Sequence, residues 1–258
     1  MPAPFNLRRL FAPLILPIRT RIRSGPNQGC AWSLASGRYL KGTVEGARMR
    51  LLEVLLAEGD TVWDVGAHHG YVALHASRCV GDSGQVYAFE PSPYNLTYLR
   101  QHLTWNKRAN IDLRPIALTG GDGTALLAEA GSSRTFSLGA DGVQVETMSV
   151  PSLLEKFELR APDFLKLDVE GGEGDVVEAA AEHLGPTSCA LVAIHSMENY
   201  RRVTGAFESI GFVVHDSAGA RRLKATEAGT WGEDPDVLAV GPEMDELDGE
   251  VSQLLEQI

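Results

Sequence analysis

From about residue 61 the apolar positions of the chain fall into a rhythm. Short apolar runs with strand character alternate with longer stretches of helical period. "TVWDVG" reads as a strand and "GYVALHASRCV" as a helix; "QVYAFEP" and "SPYNLTYLRQHLTWN" repeat the pair. "IDLRPIAL" is a third strand. "DFLKLDVEG" is a fourth, followed by the helix "EGDVVEAAAEHL", and "CALVAIHS" is a fifth, followed by "ENYRRVTGAFESIG". "FVVHDS" and "DVLAVGP" close the series without a helix between them, so one of them is expected to run antiparallel. A helix over "EGARMRLLEVLLAEG" precedes the first strand. Strands that alternate with helices require crossover connections, and right-handed crossovers build a mainly parallel, doubly wound α/β sheet. Residues 119–150 break the rhythm. They are rich in Gly, Ser and Thr and alternate in "GVQVETMSV", which predicts an insertion of one or two β-hairpins near the sheet's edge.

Composition sharpens this. With 258 residues and 44% apolar content the chain can bury one large α/β core. The pattern divides it into an N-terminal extension over 1–44, a main domain over 45–242 and an acidic tail over 243–258. Net charge is -11, which gives no support to a nucleic-acid partner. The charge is uneven: residues 1–50 hold nine Lys or Arg against the single acid Glu45, a balance of +8, so the other 208 residues carry -19. Three scattered cysteines, Cys30, Cys79 and Cys189, form no metal-ligand spacing and fit a reducing, cytoplasmic compartment. The arm "RRLFAPLILPIRTRIRSG" is interrupted by prolines, and arginines stand where a signal peptide would be cleaved. It reads as a segment packed on the domain, or as a basic, apolar contact with a membrane surface or a partner. A homodimer is compatible with the sequence, which does not fix the oligomeric state.

Candidate chemistry begins at "VWDVGAHHGYV". In open parallel sheets, ligands bind beyond the carboxyl ends of the strands. Asp64 stands at such an end. Gly66 allows a tight turn with close backbone approach, and Gly70 lets the helix start pack near the strand. The D-x-G-x-x-x-G spacing departs from the G-x-G-x-x-G of dinucleotide dehydrogenases. Glu90 ends the next strand, where an acid can accept both ribose hydroxyls of a nucleoside. The alternative is that both acids cap helices.

Three blocks resemble the FkbM family of S-adenosylmethionine-dependent methyltransferases: "DVGAHHGYVAL", "AFEPSPYNLTYLRQHLTWN" and "LKLDVEGGE". They span roughly residues 45–215. One departure is His68, where the family pattern has Asn. The resemblance implies a class I, Rossmann-like seven-stranded fold that binds S-adenosyl-L-methionine. It implies Asp64, Gly66, His68 and Gly70 around the methionine end, Glu90 at the ribose and Ala117 near the adenine. It implies O-methylation of a small-molecule acceptor, a sugar, saccharide or other polyhydroxylated natural product. N-methylation, or cofactor binding without turnover, are the alternatives.

The fourth strand ends among Asp168, Glu170 and Glu173, and His195 ends the fifth at the same rim. A hydroxyl acceptor must lose its proton as the methyl arrives. His195, Asp168 and Glu170 are the candidates to take it. Imidazole titrates near neutrality, which favours His195. The same three residues are alternatively ligands for a Mg2+ ion that would orient the acceptor. His69 is a further candidate for the acceptor pocket, and Tyr39 and Lys41 for a lid. Trp105 and Asn106 read as structural.

Overall fold

The computed structural model describes residues 14–129, 136–139, 142–169, 171–215 and 236–244. A β-hairpin, β1 (Arg19–Arg21) and β2 (Ala31–Ser33), leads into a 3-10 helix, Leu34–Lys41, and then α1, Gly46–Leu55. The alternating series follows as β3 (Thr61–Val65), α2 (Tyr71–Cys79), β4 (Gln85–Phe89), α3 (Pro93–Asn106) and β5 (Ile111–Arg114). After an insertion come α4 (Val150–Phe157), β10 (Phe164–Leu167), α5 (Glu173–Ala181), β11 (Cys189–Ala193), α6 (Met197–Ser209), β12 (Val213–His215) and β13 (Asp236–Val240).

Seven strands form one sheet in the order β12-β13-β11-β10-β3-β4-β5. Neighbours pair parallel except β13, which runs antiparallel to both β11 and β12. The doubly wound, mainly parallel sheet expected from the pattern, with the seven strands that the resemblance implies, is therefore the fold observed. Its strands are buried on both faces, which is why they read as almost unbroken apolar runs. Val62 joins Leu52, Leu74 and Leu99 on one face, and Trp63 and Val65 join Phe89, Leu153, Val176 and Phe207 on the other. Chain order reverses between β3 and β10. The region beyond their carboxyl ends is the usual ligand position in such sheets.

The structure differs from the pattern in three places. "IDLRPIAL" is two strands: β5 stops at Arg114, and β6 (Ile116–Leu118) belongs to a different sheet. Pro115 separates them, since it has no N–H for a ladder. The insertion is a four-stranded sheet rather than isolated hairpins, in the order β6-β9-β7-β8, with β7 Gly123–Glu129, β8 Phe136–Gly139 and β9 Val143–Met148. Its β6 and β9 run parallel. Helix α4 was not apparent in the sequence pattern; Ser149 caps it by accepting from the Ser152 N–H, and Pro151 lies in its first turn.

The N-terminal extension packs on the domain over its described part. Ile22, Trp32 and Tyr39 are buried in the main core. Asn106 fixes the hairpin by accepting from the Ala31 N–H at 2.8 Å and donating to its carbonyl at 2.9 Å, a structural role as expected. The acidic tail lies outside the described residues beyond Met244.

Candidate active site

The turn from Val65 to Gly70 is shaped by its neighbours. The N–H groups of Gly66 and Ala67 both donate to the Phe89 carbonyl, at 2.9 and 3.0 Å. Gly66 has φ +79°, and a Cβ there would stand 2.0 Å from the Asp168 carbonyl oxygen. This glycine is required because two loops touch. His68 has φ +51°. Among non-glycine residues, Asn, Asp and His are enriched in that left-handed region. Histidine is therefore among the residues that tolerate the backbone this position adopts. Gly70, φ +83°, starts α2 against α3: a Cβ would meet Leu99 Cδ1 at 2.3 Å.

Glu90 lies beside this turn and is buried. Its Oε2 accepts from the His68 N–H at 2.7 Å and its Oε1 from the Ser92 N–H at 2.8 Å. A carboxylate offers about four acceptor sites, and the Asn95 side chain bonds it as well, so about one remains. Burial pushes its pKa up to about 7 despite these bonds.

Asp64 is fully buried and lies behind the cavity wall, not on it. It is the cross-strand partner of Lys166. The ammonium lies 3.2 Å from Oδ1, and it donates to the carbonyls of Val65 at 3.2 Å and Gly66 at 2.8 Å. Asp64 and Lys166 thus form a close, buried ion pair. Burial raises the Asp64 pKa, against the pull of Lys166. Burial would depress Lys166, but Asp64, Asp168 and Glu45 outweigh it and keep the lysine charged.

At the ends of β10 and β11 the rim residues meet. His195 Nδ1 is in a very short hydrogen bond with Glu173 Oε1. Because a carboxylate only accepts, Nδ1 carries the proton in this contact. Glu173 is fully buried, and it also accepts from the Gly171 N–H and from Asn199 Nδ2. Nε2 of His195 faces Asp168 Oδ1 at 3.9 Å, beyond hydrogen-bond range. The Asp168 side chain is 36% exposed. Burial raises its pKa, but Lys166, Arg48, His195 and His68 together lower it further, so it is held below the ordinary carboxylate range.

A cavity of about 660 Å3 joins these groups, within the range of small-molecule sites. One end is walled by Phe89, Glu90, Asn95, Ile116, Ala117 and Leu118. The other is walled by Tyr39, Glu45, Arg48, Lys166, Asp168 and His195. Of the residues expected from the sequence, Gly66, His68, Glu90, Ala117, Asp168 and His195 line it; Asp64 and Gly70 support it from behind. His69 is buried away from it, bonded to Ser36 Oγ at 2.7 Å and stacked on Tyr98 at 4.2 Å. Tyr39 lines the cavity and meets His68 Nδ1 at 3.0 Å; Lys41 does not line it. Glu170 lies outside the described residues.

Sequence reasoning missed Lys166, Glu45, Arg48 and Asp236. Lys166 had a signal, a charge in the middle of an apolar strand. The Arg48–Asp236 pair, 2.5 and 2.7 Å over two bonds, joins positions 188 apart and had none. Among the described residues no group of three His, Cys, Asp or Glu side chains converges as a metal site. The expected Mg2+ trio is therefore represented only by Asp168 and His195, which do not by themselves fit the ion, and no step is routed through it.

Comparison with known proteins agrees with this geometry. Residues 64–212 match the family described as methyltransferase FkbM domain, more than half of the chain. A hexuronic acid methyltransferase, AglP, of Haloferax volcanii is 29% identical over 169 residues, covering 65% of this chain and 68% of its own. An O-methyltransferase of Bacillus cereus in complex with S-adenosylhomocysteine shares the fold at TM-score 0.52 and 12% identity, with 93% of each chain covered. A methyltransferase FkbM of Methylobacillus flagellatus does so at TM-score 0.50 and 13% identity, over 78% of this chain and 46% of that one.

Proposed function

Because the chain belongs to the FkbM methyltransferase family, we propose that it methylates a hydroxyl group of a saccharide with S-adenosyl-L-methionine as donor. The observation that carries this reading is His195, fixed by buried Glu173 at the rim of a cavity whose far end holds Glu90. The saccharide acceptor is supported by the hexuronic acid methyltransferase relative. Nothing in the site favours an amine acceptor, which needs no oriented base once deprotonated.

The cavity fits the donor's chemistry. Glu90 has about one acceptor site left for a ribose hydroxyl. Ile116, Ala117 and Leu118 offer an apolar wall to the adenine. Glu45 and Arg48 stand at the opposite end with the charges an amino-acid moiety pairs with. When bound, S-adenosylmethionine supplies a methyl group on a sulfonium, which departs as a neutral thioether. His195 Nε2 takes the acceptor's hydroxyl proton as the oxygen–carbon bond forms and the sulfur–carbon bond breaks. Glu173 fixes the ring and stabilises the imidazolium that results. Asp168, held ionised, orients acceptor hydroxyls beside the base. Most of the rate gain comes from holding the reactants in line.

Methyl-labelled S-adenosylmethionine, incubated with neutral and uronic saccharides, tests the proposal. A labelled methyl ether located by mass and NMR analysis is expected. Label transferred only to nitrogen would overturn it.

A second expectation concerns Glu90. Ribose hydroxyls donate best to the ionised carboxylate, so affinity for S-adenosylhomocysteine should rise as pH increases through about 7, the Glu90 pKa of the empty site. Glu90→Ala should weaken binding at least about tenfold, for bonds worth about 1.5–3 kcal/mol each. The sign for stability is opposite. A carboxyl raised from 4.5 to about 7 on folding favours the folded state fully below 4.5, and that contribution fades as pH rises through 7. Calorimetric titrations across pH 5–9 check both; equal affinity of wild type and Glu90→Ala would remove Glu90 from the site.

A further inference from the structure

The N-terminal hairpin presents cations and apolar side chains together on the outside of the protein. Leu14 is 70% exposed, and Ile18 and Leu34 are 45% exposed each. The last two are neighbours, since the Leu34 N–H donates to the Ile18 carbonyl at 3.0 Å. In the same segment Arg19, Arg21, Arg23, Arg38 and Lys41 are exposed. None of these five has a carboxylate partner among the described residues. Arg21 donates to the Gly29 carbonyl, Arg19 lies 5.9 Å from the Trp105 ring centre and Arg38 lies over the Tyr39 ring. Before Glu45 the sequence has no acid at all, and residues 1–13 add Arg8 and Arg9 beside Phe5, Leu10 and Phe11.

This is an unusual surface on a chain whose other residues carry -19. A lone cationic patch would suit any polyanion, and a lone apolar patch any protein. Side by side, the two match a bilayer of anionic lipid: arginines for the headgroups, aliphatic side chains for the acyl boundary. Charge complementarity also fixes the orientation, because the acidic remainder of the protein is repelled from the same surface.

We propose that the hairpin and the 3-10 helix form a docking face for an anionic membrane surface. The attachment is peripheral: no helix among the described residues is long and apolar enough to cross a membrane. The face borders the active site, because Arg38 and Tyr39 of the same 3-10 helix line the cavity. Docking therefore sets the cavity mouth next to the bilayer. The claim does not depend on the identity of the methyl acceptor.

The test is co-sedimentation of the full chain with vesicles. Binding is expected to vesicles of phosphatidylcholine and phosphatidylglycerol in equal parts, and not to phosphatidylcholine alone. It should be lost near 1 M salt, where screening acts over roughly 3 Å. Arg19→Gln with Arg23→Gln should weaken it roughly 25-fold, at about fivefold per charge removed. Leu14→Ser with Ile18→Ser removes apolar contact without altering charge, and should weaken it too. Methyl transfer to a dissolved acceptor should be unchanged in both variants, which shows that they fold. Absence of binding to the anionic vesicles would overturn the proposal. So would full binding by the serine variant, or binding to RNA without binding to vesicles, since either marks a general polyanion surface.

Discussion

Replacing His195 by glutamine is expected to lower kcat by about 10²–10⁴-fold, the usual contribution of a positioned general base. Glutamine keeps approximate size and hydrogen bonding but cannot take the proton. S-adenosylhomocysteine affinity should hardly move, because the proposed site assigns the nucleoside to Glu90 and the turn after β3 rather than to His195. The wild-type rate should fall at acid pH, since only the neutral imidazole accepts a proton. Glu173 gives the experiment its second arm. Its carboxylate stabilises imidazolium through Nδ1. Glu173→Gln should therefore lower kcat and displace the acid limb of the pH profile to lower pH. A purely structural role for Glu173 would reduce stability without moving that limb. If the His195→Gln enzyme keeps wild-type kcat and pH profile, the base is elsewhere on the rim, with Asp168 next in place.

The largest effect on stability is expected at Lys166. Lys166→Met leaves the Asp64 carboxylate fully buried without its cation, a change that typically costs about 3–5 kcal/mol. Asp64 limits the loss by taking up a proton. Its pKa is already raised by burial, and removing Lys166 raises it more. A carboxyl raised on folding stabilises the folded state at low pH and loses that contribution as pH rises. The deficit of Lys166→Met should therefore be small in acid and grow toward pH 8. Adding Asp64→Asn should recover most of it, because the orphaned charge is gone; the remainder measures the lost bonds to the Val65 and Gly66 carbonyls. Denaturant unfolding of the four proteins at pH 5 and pH 8 reads all of this. A deficit independent of pH, or a double variant no better than the single, would show that Asp64 does not depend on this lysine.

Most of the main sheet was legible because burial on both faces leaves a plain mark. β3, β4, β10 and β11 are near-continuous apolar runs with turn residues at their ends, and chain order then dictates their crossovers. Pro115 was visible in the sequence too, but only the two sheets show that Arg114 and Ile116 part company there. Helix α4 was hidden by its position directly after alternating residues of β9, although Ser149 and Pro151 are good start signals. In the site, strand-end position singled out Glu90, Asp168 and His195, and all three line the cavity. It could not separate Asp64 from them. Asp64 is the last but one residue of its strand and pairs inward with Lys166, whereas Glu90 follows the end of its strand and faces the cavity. In the β3–β4 register Asp64 is level with Ala88, two residues short of Glu90, so it lies deeper in the sheet, and composition does not reveal that depth. The roles of Glu45, Arg48 and Asp236 depend on contacts across most of the chain and leave no local trace. For Glu170 the question lies outside the described residues.

The contact between Gly66 and the Asp168 carbonyl has a mechanical consequence. With no room for even a methyl group between them, the turn after β3 and the strand end that bears Asp168 are packed directly on each other. A shift of one toward the other must move both. If a ligand settles the turn, it settles the Asp168 backbone with it. By thermodynamic reciprocity, any gain in acceptor affinity on donor binding returns as an equal gain in donor affinity on acceptor binding. Donor and acceptor would then report on each other through one backbone contact.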